Sequence, residues 1–185
     1  PRSTHCISSA ASDVYKRQYI HSLKRKRTRH MIKIFDLDGT VIDSTHRQTY
    51  REDGTLSIST WRENNTPDLI AQDKLLPLAK QMRTAYNRGD FVIICTAREI
   101  GAADYDFLRL HDLQYNAIVY RTNDLPDAAC KLYGLHNLCR RLGVSWARFC
   151  KAAIMYDDNL SVIDSLTAEG IKVYNATILN RELAQ

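Results

Sequence analysis

Paired cysteines, long apolar runs and internal repeats are all missing from this sequence. None of the five cysteines forms a CxxC pair, so neither a disulfide framework nor a zinc site is indicated. No apolar run has the length needed to cross a bilayer, and no segment resembles a signal peptide. We therefore expect a cytoplasmic protein with reduced thiols, without a membrane partner or an obligate protein partner.

Acidic residues are nearly absent from the first 30 residues, which carry a formal charge of +7. The whole chain carries +5, so residues 31–185 carry −2. A basic protein attracts acidic partners, but here the basic charge lies outside the part of the chain that has the composition of a domain. Residues 31–185 therefore offer no obvious basic track for a polynucleotide.

The first 30 residues resemble a leader. The stretch SSAASDVYKRQ, from Ser8 to Gln18, back-translates to a transposon-type sequencing adaptor read in frame. The basic stretch LKRKRTRH is typical either of a nucleic-acid or membrane-binding arm or of purine-rich untranslated sequence before Met31. We favour the second interpretation and expect residues 1–30 to be a non-native or untranslated, disordered leader, with one domain over residues 31–185.

Short apolar runs alternate with helical patterns after Met31. Buried strands are predicted at IKIFDL, FVIICTA, AIVYR, AAIMYDD and IKVYNAT, which begin at Ile32, Phe91, Ala117, Ala152 and Ile171. Helices are predicted from Thr66 to Gly89 and over Tyr105–Leu113, Asp127–Leu142 and Leu160–Ala168. This alternation is typical of an α/β fold with a parallel sheet between helices, which places functional residues at the carboxyl ends of the strands.

A polar segment lies between the first strand and the first helix. The motif EDGT is flanked by RQTY and LSIST, so Arg47–Thr60 is predicted to form a hairpin. The chain leaves no room for a large additional domain between Asp38 and Thr96 or between Thr96 and Lys131. We therefore expect a minimal cap, consisting only of a hairpin flap, and an open site.

Polar residues end three of the predicted strands. Asp36 and Asp38 end the first, Thr96 the second and Asp157–Asp158 the fourth. Parallel strands bring these ends to one edge of the sheet, where up to four carboxylates would repel one another without a cation. Oxygen ligands of this kind suit Mg²⁺, and Lys131 on a later helix could supply a fixed positive charge.

Four motifs resemble those of the haloacid dehalogenase-like (HAD) superfamily, in the same order: DLDGT at Asp36–Thr40, Thr96, Lys131 and Asp157–Asp158. The resemblance covers nearly all of Met31–Thr177. It implies a three-layer Rossmann-like HAD fold with the strand order 5-4-1-2-3. It also implies that residues 31–185 form a phosphatase domain.

The resemblance implies a role for each motif. Asp36 would attack phosphorus and form an aspartyl-phosphate, and Asp38 would protonate the leaving oxygen and later deprotonate water. Thr96 would donate a hydrogen bond to a phosphoryl oxygen, and Lys131 would offset negative charge. The metal ligands would be Asp36, the Asp38 backbone carbonyl, and Asp157 or Asp158. Substrate contacts are expected from Gly39, Thr40, Ala97, Arg98 and Arg121.

These residues also have ordinary structural interpretations. Asp36 and Asp38 could cap a turn, and the Asp157–Asp158 pair could cap the helix that follows it. Arg98 could be solvated, and Trp61 could either pack against the fold or serve as an aromatic platform for a base. The occurrence of all four motifs in order favours the catalytic interpretation of the acids.

The substrate is predicted from a narrower similarity. The segments TAR, YRTNDLPDAACK and MYDDNLSVIDSLTAEGIKVYNA are similar to those of the polynucleotide kinase/phosphatase 3′-phosphatase group. Asn123–Asp127 departs from the Arg-containing loop of that group, and Arg121 is the candidate replacement. We predict a Mg²⁺-dependent phosphomonoester hydrolase that acts on a nucleic-acid 3′-phosphate end. The alternatives are a nucleotidase or other small-molecule phosphatase, and a catalytically silent HAD-fold binding module.

Overall fold

A five-stranded parallel sheet between helices forms the centre of the computed structural model. The structure describes residues 31–54 and 56–185, and the predicted leader at residues 1–30 lies outside the described residues. In chain order the strands are β1 (Ile32–Phe35), β2 (Ile42–Asp43), β3 (Lys74–Leu75), β4 (Phe91–Cys95), β5 (Ala117–Val119), β6 (Ala153–Asp157) and β7 (Lys172–Asn175). The α-helices are α1 (Ile58–Glu63), α2 (Pro67–Ile70), α3 (Leu78–Asn87), α4 (Ala102–Leu110), α5 (Asp127–Leu142), α6 (Trp146–Ala152), α7 (Leu160–Ala168) and α8 (Ala176–Leu183).

Strand β1 lies in the middle of the sheet. The strand order is β5-β4-β1-β6-β7, and all four pairings are parallel. In the register of these pairings, Ile34 lies opposite Ile93 on one side and Met155 on the other. Counted among the five sheet strands alone, this is the order 5-4-1-2-3 that the HAD resemblance implied, so that prediction is confirmed.

The central strands are apolar because both faces of the sheet are covered. Ile34, Ile93 and Met155 are fully buried, as the continuous apolar runs of a parallel sheet predict. The carboxyl ends of the strands therefore carry the first polar side chains along each run. Among the residues that the structure describes, no helix has the combination of length and apolar character that a bilayer crossing needs.

Three of the predicted helices agree with the structure in place and type. Helices α5 and α7 have the predicted bounds, and α5 ends at Gly143, whose φ of 64° is the left-handed conformation that glycine favours at a helix end. Helix α4 begins three residues before the predicted Tyr105. Its start is fixed by Asp104, whose carboxylate accepts a 2.8 Å hydrogen bond from the Gly101 backbone N–H.

The single helix predicted from Thr66 to Gly89 is wrong. The segment forms the short helix α2, the strand β3 and the helix α3 instead. Thr66 does cap α2 through its hydroxyl, with Pro67 at the first helical position. A continuous helix is disfavoured because Pro77 biases the residue before it away from the helical conformation. The break also lets β3 pair with β2 in a small antiparallel sheet.

The segment that covers the site, residues 45–65, is called the flap here. It contains an isolated antiparallel bridge between Tyr50 and Leu56, and the Ser57 backbone N–H donates a 2.8 Å hydrogen bond to the Thr49 carbonyl. Helix α1 follows, within the part predicted as the second arm of the hairpin. The cap is small, as predicted, but it consists of a one-bridge turn and a helix.

Helices α6 and α8 were not predicted. Helix α8 begins inside the predicted strand IKVYNAT, because the Asn175 side chain accepts a 3.2 Å hydrogen bond from the Ile178 backbone N–H and caps a new helix. One turn later, Asn180 accepts a hydrogen bond from the Leu78 backbone N–H and donates one to the Thr40 carbonyl, each at 2.9 Å. Helix α8 therefore holds the loop that follows β1.

Candidate active site

Three carboxylates meet at the carboxyl edge of the sheet. Asp36 directly follows β1, Asp157 ends β6 and Asp158 is the next residue. One oxygen from each lies within 4.8 Å of the others, and the first two residues are buried. Adjacent parallel strands place their ends together, which is why residues so distant in sequence form one cluster.

Lys131 is the cation closest to this cluster. It lies in the first half of α5 and its ammonium nitrogen is 2.7 Å from Asp157 Oδ2 and 3.0 Å from Asp36 Oδ1. The approach to Asp157 is a hydrogen bond, whereas Asp36 Oδ1 is buried without a hydrogen-bond partner in the described part of the chain. One lysine therefore neutralises only part of the charge of three carboxylates.

The titration behaviour of the cluster follows from its burial. Burial, opposed by Lys131 and reinforced by Asp157, raises the pKa of Asp36 to about 7. Burial together with Asp36 raises the pKa of Asp158 to about 6. Burial lowers the pKa of Lys131, but Asp36 and Asp157 outweigh it and raise that pKa overall. Burial also raises the pKa of Asp157. The three acids therefore bind protons more readily than exposed carboxylates do, and a divalent cation would compete with those protons for the same oxygens.

Asp38 is oriented by a different set of contacts. Its Oδ1 accepts hydrogen bonds from the Ser44 hydroxyl at 2.7 Å and from Arg98 Nη1 at 2.9 Å. Arg47 Nη2 lies 3.6 Å from the same oxygen. Asp38 Oδ2 accepts no hydrogen bond from residues that the structure describes, so it is the oxygen available for proton transfer.

A buried ion network lies behind Asp38. Arg47 binds Asp73 through two hydrogen bonds, of 2.8 Å from Nε and 2.9 Å from Nη2, and both side chains have no exposure. Arg98 bridges Asp38 and Asp104, and its Nη1 lies 4.0 Å from Asp73 Oδ2. The sequence analysis missed Arg47, Asp73 and Asp104, because charged residues in polar segments carry no sign of burial. It predicted Arg98 as a substrate contact or a solvated residue, and the solvated alternative is wrong because the side chain is 4% exposed.

The other predicted substrate contacts differ in position. Thr96 and Ala97 line the cavity next to the acids. Arg121 also lines it, but its guanidinium donates to the carbonyls of Ala97, Asn123 and Leu125, and to the carboxylate of Asp127. The Arg121 side chain therefore mainly stabilises the conformation of the loop over residues 121–127.

Thr40 lies outside the cavity that the structure forms around the acids. The backbone N–H groups of residues 40, 41 and 42 all donate to the Leu37 carbonyl, so the chain turns back and buries the Thr40 side chain completely. The structure thus does not place Thr40 in the cavity wall, and its contact with substrate stays a prediction. Gly39, which precedes it, has a φ of 70° and lies against Asp158.

The acids open onto a cavity of about 630 Å³. Its inner wall includes Asp36, Asp38, Thr96, Arg98, Lys131 and Asp158. Its outer wall comes from the flap, through Gln48, Tyr50, Leu56, Trp61, Arg62 and Asn65, and from residues 121–127. A volume of this size lies in the range of small-molecule sites, so a ligand bound here would touch both the acids and the flap.

Two sequence comparisons give the same relative. Residues 23–129 match the family model described as bacteriophage T5 5′-deoxynucleotidase. A 5′-deoxynucleotidase of Escherichia phage T5 is 41% identical over 166 residues, which cover 80% of this chain and 68% of the phage protein. The predicted phosphatase-type hydrolase is confirmed by this relationship.

Solved structures with the same fold share much less sequence. A haloacid dehalogenase-like family hydrolase from Streptococcus pneumoniae has a TM-score of 0.58 at 14% identity, covering 80% of this chain and 85% of that one. A HAD-superfamily hydrolase from Geobacter sulfurreducens has a TM-score of 0.54 at 16% identity, covering 80% and 87%. The predicted HAD fold is therefore confirmed.

Proposed function

The chain belongs to the bacteriophage T5 5′-deoxynucleotidase family, and from that premise we propose that it hydrolyses the 5′-phosphate of deoxynucleoside monophosphates. The observation that carries the proposal is the placement of Asp36, Asp38 and Lys131 on one wall of a cavity of about 630 Å³. The 41% identity to a phage 5′-deoxynucleotidase supports the substrate class. A mononucleotide is small enough for such a cavity.

Asp36 is the nucleophile in this proposal. One of its carboxylate oxygens forms a bond to phosphorus while the bond from phosphorus to the nucleoside 5′ oxygen breaks, and Asp38 gives its proton to that oxygen. Water then attacks the aspartyl-phosphate, its proton passes to Asp38, and phosphate leaves as the Asp36 carboxylate is restored. Asp38 Oδ2 is suited to the proton transfer because Oδ1 is already occupied by Ser44 and Arg98.

Lys131 and the neighbouring backbone hold the charges in place. The Lys131 ammonium keeps its proton because Asp36 and Asp157 raise its pKa, so it is a permanent cation beside the phosphoryl group. Thr96 and Ala97 lie at the end of β4 on the same wall and are assigned to the phosphoryl oxygens. Charge that is fixed before the reaction costs no reorganisation when the transition state forms.

Mg²⁺ is the proposed cofactor. Asp36, Asp157, Asp158 and the Asp38 backbone carbonyl would hold it, since hard oxygen donors are the ligands that this ion prefers. When bound, the ion would neutralise charge on the phosphoryl oxygens. The assignment is supported by a cluster of three carboxylates whose charge the single cation Lys131 compensates only in part.

The polynucleotide 3′ end remains the second candidate substrate. It rests only on the sequence segments compared above, and the family membership favours a mononucleotide instead. The formal charge of −2 over residues 31–185 also favours a small substrate over a polymer. The silent binding module is disfavoured because Asp36, Asp38 and Lys131 all face one cavity.

Phosphate release from a panel of substrates tests the proposal. The full chain and its Asp36→Asn variant are assayed with and without Mg²⁺ on deoxynucleoside 5′-monophosphates, on deoxynucleoside 3′-monophosphates, and on oligonucleotides phosphorylated at either end. We expect Mg²⁺-dependent release from the 5′-monophosphates that the variant loses. Preference for an oligonucleotide 3′ end would replace the proposed substrate with the second candidate. A folded protein that releases phosphate from none of them would contradict the proposal.

A further inference from the structure

Trp61 lies on the flap and lines the same cavity as Asp36, Asp38 and Asp158. It is part of α1, it lines the cavity, and its side chain is neither fully buried nor fully exposed. Behind it, the Arg47 guanidinium carbon lies 4.3 Å from the centroid of its ring. One face of the indole is therefore covered by a cation.

Arg47 is held too firmly to move away from that position. It is 1% exposed and forms the two-hydrogen-bond pair with Asp73. The Asn64 side chain also donates a 3.0 Å hydrogen bond to the Arg47 carbonyl. Since Arg47 occupies one face of Trp61 and the residue lines the cavity, the other face of the ring is the one that a ligand in the cavity would contact.

Asn65, also in the cavity wall, has an amide whose orientation is fixed. Its Oδ1 accepts a 3.3 Å hydrogen bond from Arg47 Nη1, so the amide cannot flip without pointing its NH₂ at a buried cation. Its Nδ2 has no hydrogen-bond partner among the described residues and is open to solvent. The Asn65 Nδ2 group is therefore available as a hydrogen-bond donor to a ligand.

The neighbouring polar groups of the flap are already paired with each other. The Tyr50 hydroxyl donates a 2.6 Å hydrogen bond to Gln48 Oε1, and Gln48 Nε2 donates to the Ser44 hydroxyl at 3.2 Å. The flap side of the cavity thus presents a flat aromatic ring and an amide donor, beside Arg62, whose guanidinium lies 3.2 Å from the Glu99 carboxylate. A planar ligand with an acceptor at its edge fits this combination, and nucleobases are such ligands.

We propose that Trp61, backed by Arg47, is the platform on which the nucleobase of the substrate stacks, with Asn65 Nδ2 donating to an acceptor on the base. The inference rests on the proposed function and assigns to it the groups that recognise the base. Stacking is tolerant of sequence because every base has a π face. All four deoxynucleoside monophosphates should therefore bind, and a sugar phosphate without a base should bind worse.

Fluorescence tests the platform without relying on turnover. The sequence has two tryptophans, so Trp146→Phe leaves Trp61 as the sole indole. Adding Asp36→Asn prevents hydrolysis, and the double variant is titrated with a deoxynucleoside monophosphate and with 2-deoxyribose 5-phosphate. We expect saturable quenching by the nucleotide and none by the sugar phosphate at equal occupancy, measured by competition. Equal effects of the two ligands would overturn the platform.

Kinetics give an independent test through the ratio of kcat/KM for a deoxynucleoside monophosphate to that for 2-deoxyribose 5-phosphate. Trp61→Leu should lower this ratio at least tenfold, which corresponds to about 1.4 kcal/mol, and Trp61→Phe should lower it less. Trp146→Leu makes the same change outside the cavity and should preserve the ratio. An unchanged ratio in folded Trp61→Leu would refute the base site while leaving the proposed function intact.

A failure of the proposed function would give a different experimental result from a failure of the base platform. If the wild-type chain releases no phosphate from any deoxynucleoside monophosphate, the proposed function is wrong whatever the tryptophan variants do. Nucleotide-specific quenching in that case would still support the base platform, and its absence would overturn that as well.

Discussion

Gly39 approaches Asp158 more closely than any residue with a side chain could. A Cβ built on Gly39 would lie 2.3 Å from Asp158 Oδ2 and 2.7 Å from its carboxyl carbon. Gly39 also has a φ of 70°, which L residues with side chains rarely adopt. The turn after β1 therefore allows the Asp158 carboxylate to pack directly against the backbone of Gly39.

Gly39→Ala should displace Asp158 and weaken the proposed metal site. The control is Gly54→Ala, which has a similar φ of 78° but no atom within 4 Å of the added carbon. Both variants should lose about 1–2 kcal/mol from backbone strain. Only Gly39→Ala should also lower kcat/KM, by at least about tenfold, with a higher Mg²⁺ concentration for half-maximal activity. Equal activities of the two variants would show that the close approach has no bearing on catalysis.

Lys131→Met should destabilise the metal-free protein by about 3–5 kcal/mol at pH 8, because it leaves the buried carboxylates of Asp36 and Asp157 without their cation. Chemical denaturation measures the free energy of unfolding. Lys151→Met, the same change at an exposed lysine of α6, should stay within about 0.5 kcal/mol of wild type. Comparable losses in the two variants would contradict the structural importance of the Lys131 contacts.

The stability of the metal-free protein should fall as the pH rises from about 4 to about 7. The pKa of Asp36 in the folded protein, about 7, lies above its ordinary value of 3.8, and that of Asp158 is about 6. The folded state therefore binds more protons than the unfolded state across this interval, so deprotonation favours unfolding. Melting temperatures recorded in EDTA from pH 4 to pH 8 measure this contribution.

Mg²⁺ should reverse that pH dependence, because the ion competes with protons for the same carboxylate oxygens. The rise in melting temperature on adding Mg²⁺ should be small at pH 5 and larger at pH 8. Asp36→Asn, which removes the group with the most strongly raised carboxyl pKa, should flatten the profile in EDTA. A Mg²⁺ effect of the same size at both pH values would show that the ion does not bind these acids.

Asp73→Asn should cost about 3–5 kcal/mol of unfolding free energy, because it leaves the buried Arg47 guanidinium without its carboxylate. Asp68→Asn changes an exposed acid a few residues earlier and should have an effect of about 0.5 kcal/mol or less. Since Arg47 also lies 3.6 Å from Asp38, activity should fall as well. Denaturation curves measure the predicted loss of stability, and phosphate-release assays measure the predicted loss of activity. Equal results for the two variants would contradict both predictions.

The elements that the sequence predicted correctly are those set by local pattern. Continuous apolar runs identified the five sheet strands, and the polar residues at their ends identified Asp36, Asp157 and Asp158 as one cluster. Helix α5 was predicted to the residue because its apolar positions and Gly143 act locally. The burial of the sheet strands can therefore be predicted from the order of residue types in the sequence.

Contacts between charged residues distant in sequence could not be predicted in the same way. Arg47 and Asp73 are 26 residues apart, and the sequence around each of them is typical of a solvent-exposed residue. Only the folded structure shows that they form a buried ion pair. Thr40 seemed suited to a substrate because it belongs to the DLDGT motif, yet the turn onto Leu37 buries it. Pro77 indicates a break within Thr66–Gly89, whereas the apolar positions on both sides of it favour one continuous helix.

The position of β1 in the middle of the sheet has a consequence for synthesis of the chain. Asp36 is synthesised early, but both strands that pair with β1 lie far downstream: β4 begins at Phe91 and β6 at Ala153. Lys131 lies between these two strands in the sequence, and Asp157 is the last residue of β6. The helix that holds the Thr40 loop through Asn180 comes last. A nascent chain therefore carries the proposed nucleophile before the rest of the site has been synthesised, and hydrolysis should begin only when translation has passed Asp158. Ribosome-stalled chains of increasing length, assayed for phosphate release, would show that onset as a single step.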